Sequence, residues 1–420
     1  MKQGIYFQTG STLLDLVVGG APGVMGYPAG KFINIVGDKS AGKSFLCSEL
    51  VAAAYHRLGP KKFKWVYDDC EAGYSFNSES LYGFEIIPRD KEGNSVAEVS
   101  TTVEEAFVNI HNFCESLKDD QVGMYILDSL DGLTSDEQDE QASARVKAVN
   151  DGKSYDKGTY GMGKPKYLSR EFFPQLCSMI QNRKVLVVIV SQVRDNIEPF
   201  SFEKHKRNGG KAMDFYGHTV LWLATLKKIV KKSRPVGVVI KAKTTKSKTP
   251  RPFRDCQFSL VFDYGLDNIG SNLDFLYELR TDKGELTPAA KSISWGGQAK
   301  KQIIGDVKKF LKGVQFHPRI GKKQKQNAYE YWKECYDKLN LESALLFIDE
   351  NEEVKTAYEK EFGGEGGKTF SRDALIDFIE TKKLEQELID KVVEKWELIE
   401  EEIATQRKKK YATQPRGGEA

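Results

Sequence analysis

The stretch "KFINIVGDKSAGKSFLCSELVAAAYHRLGP" (residues 31–60) decides the fold. Its first seven residues are apolar and partly β-branched, the composition of a buried strand. Next, "GDKSAGKS" (residues 37–44) has the spacing GxxxxGK[ST], and the following run reads as a helix stopped by Gly59 and Pro60. Strand, glycine-rich loop and helix form the context in which this spacing holds a nucleotide phosphate. The glycines let the chain turn tightly, so that successive N–H groups face an anion at a helix N-terminus. Gly37, Asp38, Lys39, Ser40, Ala41, Gly42, Lys43, Ser44 and Phe45 are therefore expected to line the triphosphate of ATP. Lys43 is expected to reach the β- and γ-phosphates, and Ser44 to bind Mg2+.

Outward from this loop, strands alternate with helical patterns. "FKWVYDD" (63–69), "GMYILDSL" (123–130) and "KVLVVIVSQV" (184–193) are apolar strands, and "STTVEEAFVNIHNFCESL" (100–117) has helical spacing. "HTVLWLATL" (218–226), "VGVVIKAK" (236–243) and "DCQFSLVFD" (255–263) follow. The alternation implies an α/β fold with a mostly parallel sheet covered on both faces. Composition shifts after about Trp295, and residues 321–420 look helical and highly charged. The last helix carries one apolar stripe: Leu384, Leu388, Ile389, Val392, Val393, Trp396, Ile399 and Ile403. That stripe reads either as part of a small helical domain or as a partner-binding face.

The strand ends supply candidate chemistry, because open sheets of this kind present ligand-facing residues there. Asp128 in "YILDSLDGL" is the expected carboxylate on the Mg2+ shell. Glu71 in "WVYDDCEAGY" is placed to polarise an attacking water, although an acidic strand end can equally be a solvated turn. Gln192, at the end of "VVIVSQ", can hydrogen-bond the γ-phosphate and report its presence to the segment beyond.

That segment is basic. Residues 194–215 contain Arg194, Lys204, Lys206, Arg207 and Lys211 around a glycine pair. Upstream, residues 150–170 hold Lys153, Lys157, Lys164, Lys166 and Arg170 among glycines and tyrosines. Either loop alone could be a solvated insertion, but two beside a nucleotide site point to nucleic acid, with cations on phosphates and aromatic rings against bases. From Phe215 to Arg254 there is no Asp or Glu, only eleven Lys and Arg residues, so this run calls for anionic partners.

Bulk properties narrow the classes. The 420 residues are 40% hydrophobic, with room for one large domain and a smaller one, and the net charge is only +3. Six cysteines without a CxxC pair argue against a zinc site or a disulfide framework. The N-terminus lacks the apolar run of a signal peptide, and no stretch is apolar enough to span a bilayer. A cytoplasmic protein without membrane partners is expected, in a bacterial host if the source is a phage.

Taken in order, these pieces resemble the RecA family of recombinases, in particular its bacteriophage members. "TGSTLLDLVVGG" and "GYPAGKFINIVGDKSAGKS" are similar to the family's entry segment and phosphate loop, "YDDCEAG" to its catalytic-glutamate strand, and "YILDSLDGL" to its Mg2+ strand. "VVIVSQVRDNI" resembles the sensor strand leading into the second DNA loop, and "NGGKAMDFY" the end of that loop. "KAKTTKSKTPRPF" resembles the segment whose two lysines reach the next subunit's ATP, which in this register are Lys246 and Lys248. The resemblance covers about residues 9–315. It implies a RecA-like P-loop ATPase core over residues 1–268, a small α/β segment over 269–320, and a helical charged extension over 321–420.

By the same resemblance the chain is a DNA-dependent ATPase. It would bind single-stranded DNA, form a helical filament with ATP at the subunit interface, and promote pairing and strand exchange with double-stranded DNA. Single-strand-binding and loader proteins are implied partners. Glu71, Lys43, Gln192, Lys246 and Lys248 would be its catalytic set. A hexameric helicase on the same sheet, or an ATP-gated DNA-binding regulator that never forms filaments, are the alternatives. The family's N-terminal subunit hook has no counterpart here beyond "GIYFQ" (residues 4–8), so the last amphipathic helix is a candidate substitute.

Overall fold

The computed structural model describes residues 4–20, 23–90, 99–151, 163–195, 205–207, 210–295, 369–405 and 407. They fall into two units: Met1–Leu276, Asp282–Gly284 and Glu387–Ala420 in the first, Tyr277–Thr281 and Glu285–Gln386 in the second. In the first unit, Tyr6–Phe7 (β1) pairs with Tyr27–Pro28 (β2), with helix Thr12–Gly19 (α1) between them. The main chain of elements then runs Lys31–Gly37 (β3), Lys43–Leu58 (α2), Phe63–Asp69 (β4), Ser78–Tyr82 (α3), Val103–Ser116 (α4), Val122–Asp128 (β5), Asp136–Asn150 (α5), Gly163–Tyr167 (α6), Phe173–Ile180 (α7) and Val185–Asp195 (β6). It continues with His205–Arg207 (β7), Gly210–Tyr216 (α8), Thr219–Lys231 (β8), Arg234–Ser247 (β9), Asp255–Val261 (β10), Gly265–Asp267 (β11) and Asn268–Leu276 (α9).

The sheet order is β11-β10-β9-β8-β3-β6-β5-β4, with β7 paired to β6. Strands β8, β3, β6, β5 and β4 are parallel, and β9, β10 and β11 extend them antiparallel. This is the RecA-like α/β arrangement of a mostly parallel sheet flanked by helices. Successive residues Val185–Val190 are all fully buried, as both faces of β6 are covered. On one face, Val103, Ala106 and Ile110 of α4 and Leu176 and Ile180 of α7 join Tyr125, Leu127, Val187 and Ile189 in one core. A capping box of Thr102 and Glu105 starts α4, satisfying N–H groups the helix itself cannot pair.

The β8–β9 hairpin is longer than the sequence pattern suggests. Lys232 and Ser233 both adopt positive φ, at 45° and 63°, in the two-residue turn that joins Lys231 to Arg234. A turn of this hand matches the twist of the paired strands. Pairing of β3 with β8 stops at Gly37↔Leu223, so the hairpin runs past the end of β3 and carries Lys227, Lys228, Lys231, Lys232 and Arg234 there.

Both candidate hooks are engaged within the chain. Phe7 of "GIYFQ" is fully buried, and Arg57 donates to the Tyr6 carbonyl at 2.5 Å. The C-terminal helix Glu385–Glu402 buries Leu388, Val392 and Trp396, with the Trp396 ring 5.8 Å from that of Phe275. Lys395 donates to the carbonyls of Phe275 and Leu276, and Arg254 grips both oxygens of Glu400 at 2.5 and 2.6 Å. Arg251 meets Glu397 at 2.9 Å. The apolar stripe is thus largely covered by this chain's own core, and its distal residues Ile399 and Ile403 are exposed. In the second unit, Ile293–Ser294 pairs with Thr369–Phe370, ahead of helix Arg372–Lys382, whose N-cap is Ser371.

Candidate nucleotide-binding site

Register places the site. Gly37 of β3 pairs with Gln192 of β6, and Asp128 of β5 pairs with Asp69 of β4, so four parallel strands bring their functional ends to one edge. The loop between β3 and α2 opens there. Gly42 caps α2 at φ 83°, a left-handed conformation that a side chain would strain. A Cβ at Gly42 would also lie 2.8 Å from the Ile240 and Leu260 methyls, so the loop is seated directly on the antiparallel half of the sheet.

Lys43 folds back over the loop, donating to the carbonyls of Gly37 at 2.8 Å and Asp38 at 2.9 Å. Burial pushes its ammonium pKa down, while the charges of Asp128, Glu71, Asp38 and Asp131 pull it up. The amine sits where four carboxylates converge and a polyanion would replace its carbonyl partners. Asp38, Lys39 and Ser40 are exposed at the loop's tip, whereas Ala41 and Phe45 are buried beneath it.

Asp128 is largely buried at the end of β5 and accepts from the Tyr67 hydroxyl at 2.6 Å. Burial raises its carboxyl pKa, opposed by hydrogen bonds from Ser44 and Tyr67. A hydroxyl and a carboxylate in hydrogen-bonding contact are the hard oxygen donors Mg2+ takes, so the donor set fits that ion.

Glu71 lies in the turn two residues beyond β4 rather than in the strand. Asp69 shapes that turn by accepting from the N–H groups of Gly73 at 3.2 Å and Tyr74 at 2.8 Å. The Glu71 Oε1 accepts from Ser129 Oγ at 2.5 Å and from Gln192 Nε2 at 2.6 Å. Gly132 permits this approach, because a Cβ there would meet the Cys70 carbonyl at 3.0 Å and Glu71 Cγ at 3.2 Å. Gln192 is not the end of β6. It is the last residue paired to β3, and the strand continues to Asp195, where it pairs with β7. Asp131, unnoticed in the sequence, accepts from the Gln192 backbone N–H at 2.7 Å. A second aspartate three residues after Asp128 was the available signal.

Lys246 and Lys248 lie elsewhere. Lys248 is level with His218 and Phe32, five residues upstream of Gly37, or about 16 Å back along the strand at 3.3 Å per residue. Lys246 donates to the carbonyls of Asp214 and Phe215, the latter at 2.8 Å, and Lys248 to that of Tyr216 at 3.4 Å. Both ammonium groups thus cap the C-terminal end of α8, the favourable end of a helix dipole for a cation.

The basic loops divide. Residues Lys153, Lys157 and Lys204 lie outside the described residues. Lys164 donates to the carbonyls of Leu130 and Leu133, which ties α6 to the turn after Asp128 rather than leaving it free for phosphates. Lys166 and Arg170 are exposed. In the hairpin beyond Gln192, Arg194 is opposite Lys206 and Arg207 is opposite Val193, while Lys211 is in the first turn of α8. Part of the cationic run has anions within the chain: Lys241 pairs with Asp255 at 2.7 Å, besides Arg251 and Arg254. No helix among the described residues is long and apolar enough to cross a membrane.

A model of the RecA N-terminal domain matches residues 146–267, from α5 to β11. The chain is 24% identical over 304 residues to Protein RecA of Caulobacter sp. (strain K31), covering 72% of this chain and 76% of that protein. It is 24% identical over 316 residues to Protein RecA of Syntrophus aciditrophicus (strain SB), covering 74% and 80%. Among solved structures, the RadB recombinase aligns with a TM-score of 0.40 and 16% identity, over 62% of this chain and 98% of that one.

Proposed function

We propose that this chain is an ATP-dependent recombinase of the RecA type, which assembles head to tail on single-stranded DNA and promotes homologous pairing and strand exchange. One observation carries the reading. The phosphate loop, carboxylates and sensor share one edge of the sheet, while Lys246 sits about 10 Å and Lys248 about 16 Å back along the strands toward the opposite edge and two strands to the side, beyond a lysine's reach. A second copy stacked edge to edge would bring its lysines to this copy's phosphates. The similarity to RecA proteins supports the same arrangement; the likeness to bacteriophage members rests on the motifs alone.

In this mechanism the loop N–H groups and Lys43 hold the triphosphate of ATP. Ser44 and Asp128 would hold Mg2+, which supplies charge neutralisation on the phosphate oxygens when bound. Glu71 orients the attacking water and accepts its proton, and Gln192 turns its amide to the γ-phosphate. The sensor strand pairs with β7, and α8 follows β7 in the chain, so that turn is transmitted to the segment carrying Arg194, Lys206, Arg207 and Lys211. These residues, with Lys166 and Arg170 and the undescribed Lys153, Lys157 and Lys204, would bind the DNA backbone; Lys164 would have to leave its carbonyls to join them. Hydrolysis removes the γ-phosphate and relaxes both interface and loops, the logic of a ligand-ordered switch.

Electron microscopy of the protein with single-stranded DNA and a slowly hydrolysed ATP analogue tests assembly. Continuous helical fibres are expected. Closed rings would point to the helicase reading, and isolated particles to the non-assembling regulator.

A further inference from the structure

We propose that Asp131 is a positioning residue of the hydrolytic site: its carboxylate fixes the main chain of Gln192, so that the amide side chain can pass between Glu71 and the terminal phosphate. The inference rests on the nucleotide-site reading above and adds a residue to it.

Gln192 is held at two points. Its side chain donates to Glu71 Oε1 at 2.6 Å, and its backbone N–H donates to Asp131 Oδ2 at 2.7 Å. The two differ in kind. The Glu71 contact is made by a side chain at an exposed position and competes with any better acceptor in the site. The Asp131 contact is made by the backbone and is independent of where the amide points. It anchors β6 at the residue where pairing to β3 ends and pairing to β7 begins. Beyond Gly37, β3 turns away into the phosphate loop, so the strand pairing no longer fixes the backbone of β6 on that side.

Asp131 is itself well placed for this. It belongs to the short 3-10 turn Leu130–Gly132 that follows Asp128, between buried Leu130 and the close-packed Gly132. Ser129, in the same turn, donates to Glu71. One turn therefore holds Glu71 through Ser129 and Gln192 through Asp131. Its other oxygen, Oδ1, is buried without a hydrogen-bond partner, a costly arrangement for a carboxylate with no task. The Asp131 charge also reaches Lys43 across the site.

Glu71 shares its Oε1 between Ser129 and Gln192, so the group that must handle the water's proton is engaged by the sensor. When Gln192 moves its amide to a phosphate, Glu71 is released toward the water. Asp131 makes this a rotation of one side chain about a fixed backbone instead of a shift of the whole strand. Without it, the backbone at Gln192 would be held only by its pairing to Gly37 and by the two-stranded extension with β7, and part of the γ-phosphate signal would be lost to slack.

The test compares Asp131→Ala and Asp131→Asn with the unmodified chain. ATP affinity, hydrolysis without DNA and hydrolysis at saturating single-stranded DNA are measured for each, with thermal unfolding as a control. Asp131→Ala removes the acceptor, so DNA-stimulated kcat is expected to fall about tenfold or more while ATP affinity holds within about twofold. Asp131→Asn keeps an oxygen acceptor and should restore most of the stimulated rate. Equal stimulation in Asp131→Ala and the unmodified chain overturns the proposal. So does an Asp131→Asn that folds normally yet loses as much as Asp131→Ala, since charge and not anchoring would then be at work. If the unmodified chain binds ATP but shows no DNA stimulation, it is the recombinase reading that fails.

Discussion

Replacing both Lys246 and Lys248 with alanine is expected to leave ATP binding by the single subunit intact while DNA-stimulated hydrolysis collapses by about 10²–10³-fold. Neither lysine can reach its own phosphate loop, because each lies well back along the strands and points to the C-terminal carbonyls of α8. The free chain uses them as a helix cap. A neighbour's triphosphate offers full negative charge in place of these partial charges, so assembly would draw the lysines off α8. Since α8 closes the basic segment that begins at the sensor strand, an ATP bound on one copy would thereby act on the DNA segment of the next. The measurement is steady-state hydrolysis with and without single-stranded DNA, alongside direct nucleotide titration. Unchanged stimulated hydrolysis would remove the trans arrangement. Loss of nucleotide binding by the monomer would place the lysines in the wrong role.

Replacing Glu71 with glutamine is expected to lower hydrolysis by about 10²–10⁴-fold, the range associated with loss of a general base. The change is nearly isosteric, and its amide oxygen can still accept from Ser129 and Gln192, which now hold Glu71 at 2.5 and 2.6 Å. ATP binding and ATP-dependent retention of DNA should persist, with slower release because the γ-phosphate stays in place. Chemical quench on a single turnover separates the hydrolytic step from product release. An undiminished single-turnover rate would show that Glu71 belongs to the solvated turn its exposure also permits.

The sequence was most informative where chemistry is local. The phosphate loop could be read from eight residues, because strand, glycines and helix follow one another without long-range help. The position of Asp128 at the end of β5 was legible for the same reason. The strand 63–69 was legible, but not that Glu71 lies in a turn two residues beyond it, since that turn is made by Asp69 accepting N–H groups from Gly73 and Tyr74, which no periodicity reveals. Asp131 escaped notice because its meaning depends on a backbone N–H 61 positions away. The last helix shows the limit most plainly. Its apolar stripe was visible, but a stripe does not say who covers it. The answer lies in Phe275, Arg251 and Arg254, more than a hundred residues upstream. Those two arginines were read as part of a run seeking external anions, and Glu397 and Glu400 supply anions from within the chain.

The most direct measurement is retention of a labelled single-stranded oligonucleotide by the purified protein under three conditions: a slowly hydrolysed ATP analogue, ADP, and no nucleotide. Tight binding with the analogue and weak binding in the other two is expected, because contact of Gln192 with a γ-phosphate should set the cationic segment that follows it in position to bind DNA. Equal retention under all three would contradict the account.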